Sequence, residues 1–160
     1  PTTLRFVSTT TPRTRTSELD SRELAAWRGM LRAHRELVAR LDAELIRDHN
    51  LPLSSYEVLI TLADAPGQRL RMGELANELL LSRSGLTRLI DRLERQGLVE
   101  RRRCPEDARG WYAQLTEAGR EKLVAARPAH REGVRRHFLD RLTDEDLDAL
   151  ALIWTKVTPS

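Results

Sequence analysis

Lysine is nearly missing from this chain: of 27 basic residues only Lys122 and Lys156 are lysines, and the rest are arginine. Cysteine is scarcer still, since Cys104 stands alone. A single thiol excludes an internal disulfide framework and a multi-cysteine zinc site. The four histidines, His34, His49, His130 and His137, show no close ligand spacing, so neither a metal nor a cofactor is expected. Aromatic residues make up 4% of the chain and β-branched residues are sparse, which favours helix over sheet. No apolar run approaches the roughly 20 residues needed to cross a bilayer, and no signal-peptide core is present. The expectation is a cytoplasmic protein with no membrane partner. No nucleophile–base arrangement, phosphate-cradling glycine loop or metal motif appears either, so an enzyme is not expected.

What is present centres on Met72 to Thr116. MGELANELL reads as one short helix and SRSGLTRLIDRLERQG as a second, with Ser82 a good N-cap. In the second, Leu86, Leu89, Ile90 and Leu93 recur at helical spacing while Arg83, Thr87, Arg88 and Arg92 point elsewhere. LVERRRCPEDARGWYAQLT follows as a β-ribbon with a basic, turn-rich tip. Between Ser82 and Tyr112 eight arginines face five acids, a local excess of three positive charges in a chain whose formal net charge is +3. Arg5, Arg13 and Arg15 add three more before Ser17 with no acid, so the remaining residues are net acidic. Positive charge gathered beside a helix that buries one stripe and offers cations on the other suits a DNA groove.

Around that motif the chain is helical. Residues 1–17, rich in Thr and Arg, read as a tail that is disordered unless docked on its own chain or a partner. From Glu18 to about His49, Leu24, Trp27, Leu31, His34, Val38, Leu41 and Leu45 alternate spacings of three and four. A helix of about 30 residues is too long for a domain of this size to cover, which points to a subunit interface beside ordinary core packing. Pro52 breaks it, and Ser54-Ser55-Tyr56-Glu57 reads as a capping box for a short helix. Leu70, between Arg69 and Arg71, could supply a brief strand to complete the sheet of the ribbon. Thr116 caps a long helix in which Pro128 predicts a kink or break. Thr143 caps the last one, whose Leu147, Leu150, Ile153, Trp154 and Val157 form an apolar face. Gly85, inside the second helix of the central motif, is unexpected, since an interior glycine costs about 1 kcal/mol relative to alanine.

From Glu18 to Val157 the sequence resembles the MarR family of bacterial transcriptional regulators. The run LTRLIDRLERQGLVERR, then Asp107-x-Arg109-Gly110 and LTEAG, carries the resemblance and is more specific than a generic helix-turn-helix pattern. It departs from the family at Arg71, where a Thr or Ser cap is common, and at Gly85. The resemblance implies a mainly α fold with a small β-wing: a winged helix-turn-helix (51–116) flanked by long N- and C-terminal dimerisation helices (18–50 and 117–160). It further implies a homodimer reading successive major grooves of a pseudo-palindromic operator in double-stranded DNA. Leu24 and Leu31 of the first helix and Leu147, Leu150, Ile153 and Trp154 of the last would form the interface.

Candidate DNA contacts follow from both readings. Ser82, Arg83, Ser84, Thr87 and Arg88 occupy the first two turns of the recognition helix, the part that reaches base edges, with Arg92 further along. Arg101, Arg102 and Arg103 alternate faces along a strand, so Arg101 and Arg103 share one. By resemblance Arg109 enters the adjacent minor groove and Asp107 orients it. The family binds small aromatic or phenolic anions, for which Trp27, His34, Tyr56 and Trp111 are the candidate pocket. The function expected is a dimeric repressor released by such an effector. Two alternatives stand beside it: a redox-responsive regulator acting through Cys104, and a winged-helix module that binds protein instead of DNA.

Overall fold

The computed structural model describes residues 18–104 and 107–158, and of residues 107–109 the backbone alone. The expected N-terminal tail, 1–17, lies outside the described residues. Helix α1 (Ser21–His49) spans two units that divide after His34. In the first unit Asp20 caps α1: its carboxylate accepts the Glu23 amide at 2.8 Å and Glu23 returns the bond at 2.9 Å. Here the helix buries nothing, and Trp27 and Leu31 are 53% and 39% exposed. Leu24 is half-buried and His34 exposed.

The second unit, from Arg35, holds the core. Leu45 of α1 is buried with Leu51 beyond its end. Helix α2 (Leu53–Asp64) follows, and here the expected capping box at Ser54 is corrected. The helix starts at Leu53 behind Pro52 with no local side-chain cap. Asp42 of α1 instead accepts the Leu53 amide at 2.8 Å, a long-range carboxylate serving a terminus that its own sequence leaves open. Tyr56, Val58, Leu59 and Leu62 form the inner face of α2.

A 3-10 turn, with Gly67 at φ +64, leads to strand β1 (Arg69–Arg71), the strand expected around Leu70. Helices α3 (Met72–Glu78) and α4 (Arg83–Arg95) come next, then β2 (Val99–Cys104) and β3 (Asp107–Leu115). The antiparallel sheet has the order β1-β3-β2. Register pairs Val99 with Leu115, Arg101 with Ala113 and Arg103 with Trp111, so these six lie on one face. Tyr112 is on the other, with Arg69 and Arg71 stacked over its ring at 4.9 and 5.8 Å.

Thr116 opens helix α5 (Glu117–His137). Its hydroxyl accepts the Gly119 amide at 3.0 Å and donates to the Gly97 carbonyl at 2.7 Å. Gly119 is buried so closely that a β-carbon would stand 2.1 Å from the Leu98 carbonyl oxygen. The LTEAG run is thus a joint clamping α5 onto the turn between α4 and β2. The break expected at Pro128 is absent: α5 continues through it. Pro128 is exposed, while Leu123 and Ala126 before it and Gly133 after it are buried, so packing holds the helix together across one missing amide. Gly133 sits against α1, where its β-carbon would lie 2.8 Å from both Leu41 and Glu44. Beside it Glu44 takes His137 Nε2 at 2.8 Å and Arg136 at 3.1 Å, and the His137 hydrogen bond holds its carboxyl below the ordinary range.

Helix α6 (Asp144–Val157) has the Thr143 cap read from the sequence, with Thr143 accepting from the Asp146 amide at 3.2 Å and Asp146 from the Thr143 amide at 3.0 Å. It buries no residue within the chain: Leu147 and Leu150 are half-buried, while Ile153 and Trp154 are 44% and 41% exposed. Among the described residues no helix is long and apolar enough to cross a membrane.

Candidate nucleic-acid interface

The helix-turn-helix is built by burial of one stripe. Leu86, Leu89, Ile90 and Leu93 turn α4 inward, and Leu75 and Ala76 of α3 meet them in the core. The turn between the helices passes through Leu80, at φ +52 and 92% exposed. Ser82 then caps α4, its hydroxyl accepting the Gly85 amide at 3.1 Å. Gly85 is explained by the same contact. A β-carbon there would lie 3.1 Å from the Ser82 hydroxyl oxygen, tight enough to press on the cap.

With that stripe inside, Ser82, Arg83, Ser84, Thr87 and Arg88 are all exposed. Thr87 donates its hydroxyl back to the Arg83 carbonyl at 2.8 Å, so its proton is already committed within the helix. Among the described residues no carboxylate pairs with Arg83 or Arg88 in an ion pair. An open cleft of about 880 Å³ lies between α3, α4 and the wing. Arg71, Met72, Asn77, Arg83, Thr87, Arg101 and Trp111 line it.

Two expected contacts are placed differently. Arg92 is drawn back against α2, with Nη2 donating to Ser55 at 3.0 Å and to Ser54 at 3.5 Å, and its Nε is buried. Ser55, fully buried, is the polar partner that a reading limited to α4 could not supply. Arg101 turns inward onto α4, where Asp91 and Glu94 each hold its guanidinium at 2.5 Å. Strand alternation carried that signal, because Arg101 shares a face with Val99, which is 1% exposed. Arg103, on the same face nearer the tip, is exposed and lies over the Trp111 ring at 5.3 Å. Arg102 pairs with Glu100 at 2.7 Å on the opposite face. The side chains of Asp107 and Arg109 lie outside the described residues; their backbone forms the start of β3.

Of the proposed pocket residues in the second unit, Trp111 lines the cleft beside α4 and Tyr56 does not. Tyr56 is a core residue, 2% exposed and stacked on His130 at 4.3 Å. Burial pushes its phenol up, opposed by the Arg127 guanidinium, and pushes the His130 imidazole down. Trp27 and His34 are exposed on the first unit. Cys104 is 3% exposed, with Sγ 3.4 Å from Arg71 Nη2 and 3.7 Å from the Tyr112 hydroxyl. Such burial denies an oxidant easy access. Among the described residues no histidine, cysteine or acid cluster could hold a metal.

A capped helix presenting exposed arginines, braced by a second helix and a three-stranded wing, defines a winged helix-turn-helix DNA-binding protein. The model of the MarR family matches residues 49–110. The chain is 32% identical over 107 residues to the uncharacterized HTH-type transcriptional regulator YkoM of Bacillus subtilis, covering 67% of this chain and 68% of that one. It is also 32% identical over 99 residues to the transcriptional repressor MprA of Escherichia coli, there spanning 58% of this chain and 56% of the relative's length. Among solved structures, the MarR family regulator Sco3205 of Streptomyces coelicolor, in complex with DNA, superposes with a TM-score of 0.83 at 40% identity, over 91% of this chain and 89% of that one. The chain belongs to the MarR family and is a DNA-binding transcriptional regulator.

Proposed function

We propose that this regulator is a homodimeric repressor in which α4 of each copy enters a major groove of a pseudo-palindromic operator. The carrying observation is the division of α4: four apolar residues are buried, while Arg83, Ser84, Thr87 and Arg88 are exposed together. Arginine at such a position reads guanine in bidentate fashion or pairs with phosphate. MprA is named a repressor and Sco3205 was solved with DNA, which supports the same role here. Arg109 and Asp107 are assigned to the wing's minor-groove contact, and Arg103 to the phosphates beside it.

The helical regions 18–50 and 117–160 are assigned to dimerisation. The support is that neither α6 nor the start of α1 has a fully buried residue, and that Trp27, Leu31, Ile153 and Trp154 are exposed. Two recognition helices would then sit about one DNA turn apart. A small aromatic or phenolic acid is the proposed effector, acting in the cytoplasm by changing that spacing.

The test is a mobility shift on the DNA flanking the protein's own gene, at two salt concentrations. A sequence-specific shift at moderate salt supports the reading, and Arg88→Ala should weaken it. A protein-binding module predicts no shift and no effect of Arg88→Ala. Sedimentation at micromolar concentration checks the dimer, and a stable monomer rejects it.

A further inference from the structure

Arg101 makes four polar contacts with α4, and all of them fall on one stripe. Nη2 donates to Asp91 Oδ1 at 2.5 Å and to the Thr87 carbonyl at 3.3 Å. Nη1 donates to Glu94 Oε2 at 2.5 Å, and the backbone amide of Arg101 donates to Glu94 Oε1 at 3.1 Å. Residues 87, 91 and 94 are spaced by four and three, which places them in one row along two turns of helix. A single guanidinium can reach all three only if β2 lies along α4 in a fixed register. The side chain is 21% exposed, so solvent screens the arrangement only in part.

The same contacts settle a charge problem. Asp91 and Glu94 follow Thr87 and Arg88 on the outer half of the recognition helix, and Asp91 lines the cleft with Thr87 and Arg83. Left alone, two carboxylates there would repel the phosphates that Arg83 and Arg88 are placed to approach. Of the two arginines next to them in sequence, Arg92 turns to Ser55 and Arg95 donates its Nε to the Asp91 backbone carbonyl at 3.2 Å. Arg101 is the cation that the structure sets on both acids.

We infer that Arg101 is a positioning residue for DNA binding: it fixes the wing's register on the recognition helix and neutralises Asp91 and Glu94 at the DNA face without touching DNA. This rests on the assignment of α4 to the groove. A residue that contacts phosphate and one that positions others differ in salt dependence. Losing a phosphate contact lowers the slope of log affinity against log salt by about 0.9, whereas losing a positioning group leaves the slope in place.

The experiment measures operator and random-sequence binding across a salt series for Arg101→Met, Arg101→Lys and Asp91→Asn/Glu94→Gln. Arg101→Met should weaken operator binding at least tenfold with an unchanged slope, and Arg101→Lys should recover part of the loss. Asp91→Asn/Glu94→Gln keeps Arg101 but removes its anchors. It should raise affinity for random DNA and narrow the preference for the operator, and it answers the question if Arg101→Met does not fold. A slope that falls by about 0.9 in Arg101→Met, operator affinity unchanged in that variant, or an operator preference unchanged in the double variant would overturn the inference. Arg88→Ala run alongside separates the two readings. If it changes neither affinity nor slope, the groove assignment has failed and the role of Arg101 falls with it, whereas a loss in Arg88→Ala beside an unchanged Arg101→Met overturns the role of Arg101 alone.

Discussion

Gly119 and Leu98 meet backbone to backbone: the α-carbon at the start of α5 leaves room for no substituent, because a β-carbon would stand 2.1 Å from the Leu98 carbonyl oxygen. The carbonyl cannot simply retreat, since it also accepts the Thr116 amide at 3.2 Å. Gly119→Ala should therefore destabilise the protein by about 1–3 kcal/mol, the usual range for overpacking, even though alanine is the better helix former. Urea denaturation of the two proteins measures this. Equal midpoints would mean that α5 does not sit where the structure places it.

Ser82 and Gly85 should show coupled energetics. Ser82→Ala removes the α4 cap and should cost about 1 kcal/mol. Gly85→Ala alone should be close to neutral, because the helix-propensity gain of about 1 kcal/mol is offset by pressure on the Ser82 hydroxyl. In the Ser82→Ala background that pressure disappears, and Gly85→Ala should stabilise. A double-mutant cycle in denaturant checks the sign of the coupling, and strict additivity would contradict this account.

Arg92 should behave as a structural residue. Ser55→Ala removes its hydrogen-bond partner at 3.0 Å and should cost about 1.5–3 kcal/mol, the range for a buried hydrogen bond to a charged group. Arg92→Met should lower the melting temperature in the same way while leaving the salt slope of DNA binding in place. A reduced slope would return Arg92 to the DNA contacts.

Acid should weaken the fold in two windows. The His130 imidazole is pushed below its ordinary value near 6.5 by burial, so the folded state favours the neutral ring. The unfolded chain then takes up the proton first: this stability is complete above pH 6.5 and declines as the pH falls below it. Glu44 is held below its ordinary value near 4.5, chiefly by the His137 hydrogen bond, and its contribution is present above pH 4.5 and lost below. In a series of melts across pH, His130→Phe should flatten the upper window only, and Glu44→Gln the lower. A His130→Phe protein with the parent's pH profile would exclude the first assignment.

The features legible in the sequence were those that local chemistry decides. Leu86, Leu89, Ile90 and Leu93 gave the buried side of α4, Ser82 and Thr143 their caps, and Leu70 its strand. What stayed hidden depends on residues far apart along the chain. Asp42 caps α2 from eleven residues away, Ser55 meets Arg92 across 37, and His130 fills the face of Tyr56. Pro128 carries a strong local signal for a break, but packing on both sides of it prevails. Arg101 falls between these cases: alternation from Val99 shows that it turns inward, yet only the fold shows which acids receive it.

The turn before the recognition helix carries a reserve that the sequence does not use. Leu80 holds a left-handed backbone, φ +52, at which a side chain bearing a β-carbon is strained by about 1–2 kcal/mol, and at 92% exposure that side chain recovers almost nothing by burial. Glycine or asparagine would relieve the strain there without touching the core or the outward face of α4. The position is thus a place where this protein can absorb a destabilising change elsewhere, such as a new specificity at Arg83 or Arg88, through one compensating substitution.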